Sequence, residues 1–283
     1  MSVVIPARNA RGTLSAQLEA LASQEYDLDW EVVVVANACR DDTAKLARVW
    51  APRLPALHVV TLQTPGVNCA RNAGCHAARA EVILLCDADD VVAPGWIKAM
   101  ADGLHSYDLV SGSMDPTLLN SHASQVARRP PATRSLENHH RFLPYIKGGN
   151  CGFHKKLWKA LGGFDPTYQR GGDDIEFSWR AQLAGFSIGF VPAAVIHYRY
   201  RRTAFSAARQ SFGYGRARPR LYRDFRLSGL PRTGIRASLT SWAWLATHPH
   251  HLLRHDSRIR WCTRLGQQAG RLIGCLQYRV LDP

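Results

Sequence analysis

The chain has 283 residues, of which 46% are hydrophobic, and a formal net charge of +14 at pH 7. This length is enough to bury one large α/β domain with an appendage, and no stretch reaches the ~18 consecutive apolar residues of a membrane-spanning helix. The seven cysteines form no C-x-x-C pair, and Met1 is followed at once by an apparent core strand instead of a leader segment. We therefore expect reduced thiols and a cytoplasmic protein.

The charge is divided unevenly along the chain. Residues 1–198 contain 19 Lys and Arg against 19 Asp and Glu, whereas residues 199–283 contain 17 Arg, no Lys and three Asp. A basic tail of this kind suits an anionic membrane surface, a nucleic acid or an acidic partner, and composition alone does not choose among them. The pattern predicts a neutral domain over residues 1–200 and a basic, helical extension over residues 201–283.

Apolar runs alternate with helical spacings in the first third of the chain. Strands are predicted over 3–5, 31–35, 57–62 and 82–86, with helices over 13–21, 43–50 and 70–80 between them. Such alternation predicts an α/β fold with a mostly parallel sheet, right-handed crossovers and helices on both faces. Ligands of these sheets bind outside the carboxyl ends of the strands, so residues 6–9, 37–42 and 87–90 would share one edge.

The middle of the chain is less regular. The predicted elements are a helix over 94–105, a strand over 109–114, helices near 157–161 and 173–184, and strands near 188–191 and 195–198. Periodicity fades between Asp115 and Lys147, where Arg128-Arg129-Pro130-Pro131 marks a loop. Because a long loop inside a compact domain is often functional, we interpret it as a lid.

The basic extension carries two amphipathic patterns, near 235–246 and 265–276. Beside the second pattern, a polar face repeats at helical spacing about 140° from the apolar face, and it consists of Arg260, Arg264, Gln267 and Arg271. Either this helix docks on the domain, or its arginines face anionic lipid, where each would contribute ~1 kcal/mol. The second interpretation makes the protein peripheral on the inner membrane face.

Three carboxylates, Asp87, Asp89 and Asp90, directly follow the predicted strand over 82–86. Packed like charges cost free energy unless something neutralises them, and a divalent cation takes carboxylate oxygens and usually brings a phosphate-bearing substrate. The alternative is a solvated acidic turn before the helix that begins near Pro94. The position at the ligand-binding edge favours a metal site, with Asp90 serving the following turn.

A second acidic cluster, Asp173, Asp174 and Glu176, follows Gly171-Gly172 at a predicted helix start. One carboxylate would be enough to complement the helix dipole, at ~0.3–1 kcal/mol per acid, and three exceed that purpose. The paired glycines would let the backbone approach a ligand closely. A carboxylate held here would serve as a general base toward a hydroxyl nucleophile.

Six segments occur in the same order as motifs of the family 2 glycosyltransferases, and residues 2 to about 200 resemble that family. The segments are SVVIPARN at 2–9, ARNAG at 70–74, DAD at 87–89, GGFD at 162–165, GDDIEF at 172–177 and VPAAVIH at 191–197. The resemblance implies a GT-A fold and an inverting transfer from a nucleotide-diphosphate sugar to an acceptor hydroxyl, with Mg²⁺ or Mn²⁺ as cofactor. No covalent enzyme intermediate is implied.

The resemblance also implies site residues. The general base is Asp174, with Asp173 and Glu176 beside the acceptor. The metal is expected at Asp89, and Asp87 is expected to contact either the metal or the nucleotide. His197 matches a histidine that joins the metal or diphosphate site in some members of the family, although a histidine that ends a strand is commonly satisfied by local partners. The nucleotide sugar is expected to contact Pro6, Ala7, Arg8, Asn9, Asn37, Arg71, Asn72, Asp87 and Ala88. The acceptor side is expected to include Gly149, Asn150, Gly172, Trp179 and Arg180.

Departures from the family pattern limit what the resemblance implies. Ala36 stands where the family usually has an Asp that contacts the base of the nucleotide, so the resemblance does not imply which nucleotide the donor carries. Asp173 stands where a Glu is common in the family, while the position of the catalytic general base is kept as Asp174. The Gln-x-x-Arg-Trp motif of processive synthases is missing. We therefore expect single additions to a glycan, a lipid-linked or a small-molecule acceptor.

Two other functions were weighed. A sugar-1-phosphate nucleotidylyltransferase should carry an N-terminal glycine-rich phosphate loop, and residues 2–12 contain none. A non-catalytic membrane-binding or nucleic-acid-binding module would use the arginine-rich tail. That tail has no recognisable nucleic-acid motif or aromatic stacking platform, so no nucleic-acid partner is expected.

Overall fold

The computed structural model describes residues 1–122, 125, 135–232 and 234–282, and the predicted loop at Arg128-Arg129-Pro130-Pro131 lies outside this part of the chain. The described strands are β1 (Ser2–Ala7), β2 (Glu31–Asn37), β3 (Leu57–Leu62), β4 (Val82–Cys86), β5 (Val91–Val92), β6 (Leu109–Asp115), β7 (Asn150–His154) and β8 (Ile188–His197). The described helices are α1 (Leu14–Ala22), α2 (Thr43–Val49), α3 (Val67–Ala77), α4 (Trp96–Leu104), α5 (Lys155–Ala160), α6 (Asp173–Leu183), α7 (Ala204–Phe225), α8 (Ile235–Thr247) and α9 (His255–Tyr278).

These strands form one sheet in the order β3-β2-β1-β4-β7-β6-β8-β5. β1 lies between β2 and β4 and runs parallel to both, with Ser2 opposite Glu31 and Ile83. β7 runs antiparallel between β4 and β6, and β5 runs antiparallel to β8. The predicted α/β fold with a mostly parallel sheet is thus confirmed, and β7 is a strand that the sequence analysis did not predict.

β2 is buried along its whole length, and its alternate side chains enter two hydrophobic cores. Val32 and Val34 pack on one face of the sheet with apolar residues of α1 and α4. Val33 and Val35 pack on the other face with residues of α3, α5 and α6. Because side chains alternate along a strand, an unbroken valine run buries both faces, at roughly 1.5–3 kcal/mol per side chain. The two cores fix the strand ends that carry the site.

β7 has a sequence of weak strand propensity, and its glycine explains why it fits. A Cβ at Gly152 would lie 2.8 Å from Leu84 Cδ2 and 3.1 Å from Leu104 Cδ1, so only a glycine leaves these side chains in place. Cys151 and Phe153, on the other face of the strand, are fully buried. Tertiary packing therefore overrides local propensity here.

The two strands predicted near 188–191 and 195–198 form the single strand β8. Its parallel pairing with β6 shifts register between Gly112, opposite Val191, and Ser113, opposite Val195. The skipped residues include Pro192, which has no N–H for the ladder and whose carbonyl accepts a hydrogen bond from Ser113 Oγ at 2.9 Å. β8 then continues to His197 and delivers the following loop to the carboxyl edge of β4.

In the basic extension, α7 and α9 cross with almost no space between their backbones. A Cβ at Gly266, Gly270 or Gly274 of α9 would lie within 2.6 Å of a carbonyl oxygen of α7. Because only glycine leaves room for a carbonyl this close, α9 docks on α7 in one register. The sequence analysis did not predict α7, whose interior glycines and Pro219 obscure the helical pattern.

The polar face of α9 is partly covered, since Arg264 and Arg271 are half-buried whereas Arg260 and Gln267 are exposed. Arg260 and Arg264 lie over the ring of Trp244, with their guanidinium carbons 5.7 and 4.3 Å from its centroid. The apolar side is exposed, with Leu272 44% and Leu276 77% accessible. Arg264 therefore packs on Trp244 of α8, and Arg260 keeps an exposed side chain. Within the described residues, no helix is long and apolar enough to cross a membrane.

Candidate active site

A cavity of about 1380 Å³ opens at the carboxyl edge of the sheet, where the ends of β4 and β8 meet the N-terminus of α6 and the helices of the basic extension. The residues that were predicted from the sequence and that line it are Arg71, Asp87, Asp89, Gly149, Gly172, Asp173 and Asp174. The two acidic clusters, which are far apart in sequence, therefore open into one cavity.

The first cluster consists of Asp87, Asp89 and Asp90, each of which places one carboxylate oxygen within 4.8 Å of the others. Burial, helped by the neighbouring carboxylates, raises the pKa of Asp87 to about 6 and that of Asp90 to about 8, although Arg71 partly offsets the shift at Asp87. Asp90 Oδ1 accepts a hydrogen bond from Arg199 N at 2.8 Å, so Asp90 holds the segment after β8 and not only its own turn.

The chemistry of this cluster fits a divalent cation. Asp90 Oδ2 is buried and has no hydrogen-bond partner among the described residues. Carboxylate oxygens that crowd together and lack donors are the ligands that Mg²⁺ and Mn²⁺ prefer. His197 does not belong to the cluster, because its Nδ1 lies 3.2 Å from Asp115 Oδ2 in a separate ion pair.

The loop after β8 closes on the same cluster. Arg201 Nη1 lies 2.7 Å from Asp89 Oδ2, and Arg199 Nε donates to the main-chain carbonyl of Asp89 at 2.9 Å. The sequence analysis did not single out Arg201, although the run of arginines after the last predicted strand was an available signal. A guanidinium at this position can donate hydrogen bonds to a bound diphosphate and offset its negative charge.

Arg71, on α3, joins the two acidic clusters. Its side chain is 5% exposed, it forms a short ion pair with Asp173, and its Nη1 donates to Asn68 Oδ1 at 3.3 Å. Burial alone would lower the pKa of Arg71, but Asp173 and then Asp87 more than offset this and raise it above its usual value. The cation therefore stays charged and balances both carboxylates.

Asp174 lies in the first turn of α6, at the cavity wall. Gly172 caps the helix with φ = 78°, a conformation that favours glycine, and turns the chain so that the acids follow at once. Asp174 Oδ2 accepts a hydrogen bond from Gly148 N at 3.3 Å. Burial and then Asp173 raise the pKa of Asp174, while Lys147 lowers it in part. A partly buried carboxylate of raised basicity is suited to accept a proton.

The glycine pair Gly148-Gly149 lets the backbone pass directly over these charged groups. A Cβ at Gly149 would lie 2.4 Å from Asp87 Oδ2, and one at Gly148 would lie 2.7 Å from Arg71 Nη2. Real Cβ atoms do not come this close to a heavy atom, so any side chain at Gly149 would displace the Asp87 carboxylate.

We expect Gly149→Ala to weaken Mn²⁺-dependent binding of a nucleoside diphosphate about tenfold, since overpacking costs ~1–3 kcal/mol and would move Asp87. Isothermal titration with UDP and GDP measures this. The control is Gly12→Ala, because a Cβ at Gly12 meets no atom within 4 Å. Equal affinities for both variants and the unmodified protein would rule out a role of this close contact in binding.

Several predicted residues lie outside the cavity and hold the scaffold. Asn150 is fully buried, where its Oδ1 accepts from Trp96 Nε1 at 2.8 Å. Trp179 is buried in a core and donates to the carbonyl of Leu143 at 2.7 Å. Neither side chain is placed to contact an acceptor, so the geometry gives both a structural role.

Glu176, Arg180 and Asn72 are also occupied elsewhere. Glu176 pairs with Arg180, whose guanidinium also donates to the carbonyls of Leu161 and Gly163 at 2.6 and 2.8 Å. Asn72 Oδ1 accepts from Phe164 N at 2.9 Å and from Trp158 Nε1 at 3.0 Å. These residues stabilise the 162–165 turn, and this explains why polar side chains recur there without reaching the cavity.

The residues predicted to border the nucleoside lie at the same carboxyl edge of the sheet, at or just after the ends of β1 and β2. The side chains of Arg8 and Asn9 are exposed, and Asn9 Oδ1 accepts from Arg40 N at 2.8 Å. Asn37 holds the turn before α3, since its Nδ2 donates to Thr64 O at 2.6 Å. Other predicted residues of this group do not line the cavity either, namely Pro6, Ala7 and Ala88.

Comparisons with known proteins agree with this arrangement. A sequence profile described as "Glycosyltransferase like family 2" matches residues 1–213. The glycosyltransferase AglE of Haloferax volcanii is 24% identical over 96% of this chain and 95% of its own length. The uncharacterized glycosyltransferase YwdF of Bacillus subtilis is 27% identical over 71% of this chain and 74% of its own.

Solved structures share the fold. The mannosyltransferase PcManGT of Pyrobaculum calidifontis, in complex with GDP-Man and Mn²⁺, has a TM-score of 0.68 at 19% identity and covers 98% of this chain and 87% of its own. TarS 1–349 of S. aureus, in complex with UDP, has a TM-score of 0.57 at 18% identity and covers 96% and 90%. The chain thus has the GT-A fold that its motifs implied, and since the family profile spans most of it, it belongs to glycosyltransferase family 2 and is a glycosyltransferase.

Proposed function

We propose that this chain transfers a sugar from a nucleotide-diphosphate sugar to an acceptor hydroxyl with inversion at the anomeric carbon. The observation that carries the proposal is that Asp174 and the Asp87–Asp89 carboxylates open into one cavity and are bridged by Arg71. A donor held at the first cluster would present its anomeric carbon toward the second, where an acceptor hydroxyl and a general base are needed.

In this proposal Asp174 accepts the proton of the acceptor hydroxyl as that hydroxyl attacks. Asp87 and Asp89 would hold Mg²⁺ or Mn²⁺, which when bound offsets the charge that develops on the departing diphosphate. Arg201 leaves its ion pair with Asp89 and donates to the diphosphate oxygens. Asp173 stays paired with Arg71 and fixes the start of α6, so that Asp174 points into the cavity.

The similar structures contain different donor nucleotides. PcManGT is crystallised with GDP-Man and TarS with UDP or UDP-GlcNAc, so we assign this chain the shared class, a nucleotide-diphosphate sugar. We further propose single additions, because the motif of processive synthases is missing from the sequence. The acceptor is a glycan, lipid-linked or small-molecule hydroxyl, in cell-wall or polysaccharide synthesis.

The experiment that tests the metal and donor assignment is Asp89→Ala. We expect this variant to lose the part of nucleoside-diphosphate affinity that depends on Mn²⁺, because a ligand carboxylate is removed. Titrations of UDP and GDP with Mn²⁺ and with EDTA separate the two contributions. Asp102→Ala, which removes an exposed carboxylate far from the site, is the control. Identical titrations for Asp89→Ala and the unmodified protein would refute the assignment.

We also propose peripheral attachment to an anionic membrane, supported by exposed apolar side chains on the basic extension. Ile235 and Leu239 of α8 are each 61% exposed, and Leu272, Ile273 and Leu276 of α9 are 44%, 46% and 77% exposed. Apolar groups of this kind on a basic helical segment insert at the lipid interface, while the protein's net charge of +14 favours anionic headgroups.

We expect Leu272→Glu with Leu276→Glu to abolish sedimentation with vesicles of phosphatidylglycerol and phosphatidylcholine, because two charges replace two inserting side chains. Leu28→Glu, at a 67% exposed leucine of the neutral domain, should leave sedimentation unchanged. Full sedimentation of the double variant would exclude α9 as the attachment site.

A further inference from the structure

The wall of the cavity that the basic extension builds has an unusual charge composition. It contributes six arginines and no carboxylate, and these arginines are Arg201, Arg209, Arg218, Arg232, Arg236 and Arg271. The acids of the cavity all belong to the neutral domain. The tail therefore does not merely cover the site but supplies it with positive charge.

Three of the five acids that line the cavity are paired with nearby cations, and the other two are Asp87 and Asp174. Asp173 pairs with Arg71, and Asp89 pairs with Arg201. Glu137 pairs with Lys147, whose Nζ lies 2.7 Å from Glu137 Oε1. The cations on the tail side thus exceed what these carboxylates need.

Three of the wall arginines have no acidic partner among the described residues, and one of them, Arg232, lies over the ring of Tyr222 instead. Within the part of the chain that the structure describes, Arg209 of α7 and Arg236 of α8 form no ion pair, and both side chains are exposed to the cavity. Arg170, on the loop before α6, also lines the cavity without an ion pair among the described residues. Like charges gathered around a cleft create a positive potential that attracts an anion.

This wall stands next to the proposed base and not next to the diphosphate cluster alone. A Cβ at Gly171 would lie 2.6 Å from Tyr214 Cδ1, and one at Gly213 would lie 2.2 Å from the carbonyl of Arg170, so α7 packs on the loop that leads into α6. Tyr214 of α7 and Asp174 both line the cavity, so the helix passes beside the proposed base. An acceptor whose hydroxyl reaches Asp174 must therefore lie along α7.

We infer that Arg209, Arg236 and Arg170 bind an anionic group, a phosphate or a carboxylate, on the sugar acceptor. This inference rests on the proposed function, because it takes Asp174 as the place where the acceptor hydroxyl reacts. A guanidinium offers a planar pair of donors that matches both anions, and it remains charged at any working pH. A neutral acceptor would leave the three cations without a counter-charge in the complex.

The test measures binding of three small acceptor probes to the full-length protein saturated with Mn²⁺ and with UDP or GDP, whichever binds. The probes are glucose 1-phosphate, methyl glucuronide and methyl glucoside. We expect at least one anionic probe to bind about tenfold or more tightly than methyl glucoside, as charge-assisted hydrogen bonds are worth ~1.5–3 kcal/mol. The tighter of the two anionic probes identifies the anion as phosphate or carboxylate.

Charge-removing variants locate the binding wall. Arg209→Gln and Arg236→Gln should each weaken the anionic probe about tenfold and leave Mn²⁺–nucleotide affinity unchanged. Arg226→Gln, at an exposed arginine outside the cavity, should change neither. Equal binding of charged and neutral probes would overturn the inference, and so would equal losses of nucleotide affinity in the two variants. Failure of the unmodified protein to bind any nucleotide would instead overturn the proposed function.

Discussion

Asp174→Asn is expected to lower kcat by about 10³-fold or more while the protein still binds a nucleoside diphosphate with Mn²⁺, since a positioned general base contributes ~10²–10⁴-fold. The amide keeps the shape of the side chain and can still accept from Gly148 N. It cannot take a proton from the acceptor hydroxyl. Steady-state transfer assays and nucleotide titrations on the same preparation measure both effects.

Thermal unfolding separates this loss from a folding defect. Burial raises the pKa of Asp174, which means that the folded protein holds the charged form at a cost. Removing the charge should therefore leave the Tm unchanged or raise it. The raised pKa also predicts the acidic limb of the pH profile. As the pH is lowered, activity of the unmodified enzyme should decline at a higher pH than it would with an exposed aspartate as the base, because the base must be deprotonated. Turnover by Asp174→Asn at the unmodified rate would show that another group removes the proton.

Arg71→Met should lower the free energy of unfolding by about 3–5 kcal/mol, because it leaves buried carboxylates without their cation. Asp173, only 8% exposed, would lose its ion-pair partner, and Asp87 would lose the largest charge that lowers its pKa. Urea unfolding followed by tryptophan fluorescence measures the change. The double variant with Asp173→Asn should recover part of the loss.

The deficit of Arg71→Met should also depend on pH. Without the cation, Asp87, whose pKa is already about 6, would bind its proton more tightly in the folded than in the unfolded state. Stability therefore rises as pH falls through the raised folded pKa, and the deficit at pH 6 should be smaller than at pH 8. Lys98→Met breaks an exposed ion pair that solvent screens, and it should leave the free energy of unfolding nearly unchanged at both pH values. A pH-independent deficit would mean that packing, not charge, explains the loss.

Much of the sheet could be predicted because its sequence follows one rule. The runs at 57–62 and 82–86 coincide with β3 and β4, and the valine run after Glu31 becomes β2. These segments are β-branched or apolar without interruption, so the burial of both faces determines their conformation. The same rule places residues 6–9, 37–42 and 87–90 at one edge, because parallel strands end together. Asp174 starts a helix, so its approach to that edge depends on the long-range packing of α6.

The elements that escaped prediction depend on long-range packing. β7 and α7 both contain glycines that look like breaks in a local pattern, yet Gly152 and Gly213 are required by atoms that approach from other elements. Arg201 was missed for a related reason. Its role follows from the loop after β8 folding back on Asp89, and nothing in the local sequence distinguishes it from the other arginines of the tail.

Site residues predicted by resemblance divide along a physical line. The aspartates at the end of β4 and at the start of α6 line the cavity, where a cation or a ligand can neutralise their charge. Polar residues such as Asn72, Asn150 and Glu176 satisfy buried main-chain or side-chain partners instead. A motif therefore marks a constrained position, and the constraint can be on the scaffold as well as on the chemistry.

The crossing of α7 and α9 has a consequence for which mutations would change the preference for an acceptor. Because Gly266, Gly270 and Gly274 admit one helix register, they decide which α9 side chains reach the cavity, and Gln267 and Arg271 do so only in that register. A slip by one residue would rotate Arg271 away without altering any residue that touches a substrate. Three glycines remote from the reacting atoms thus hold the acceptor wall in place, and a chimaera that exchanges α9 would retain that wall only if it inherits their spacing.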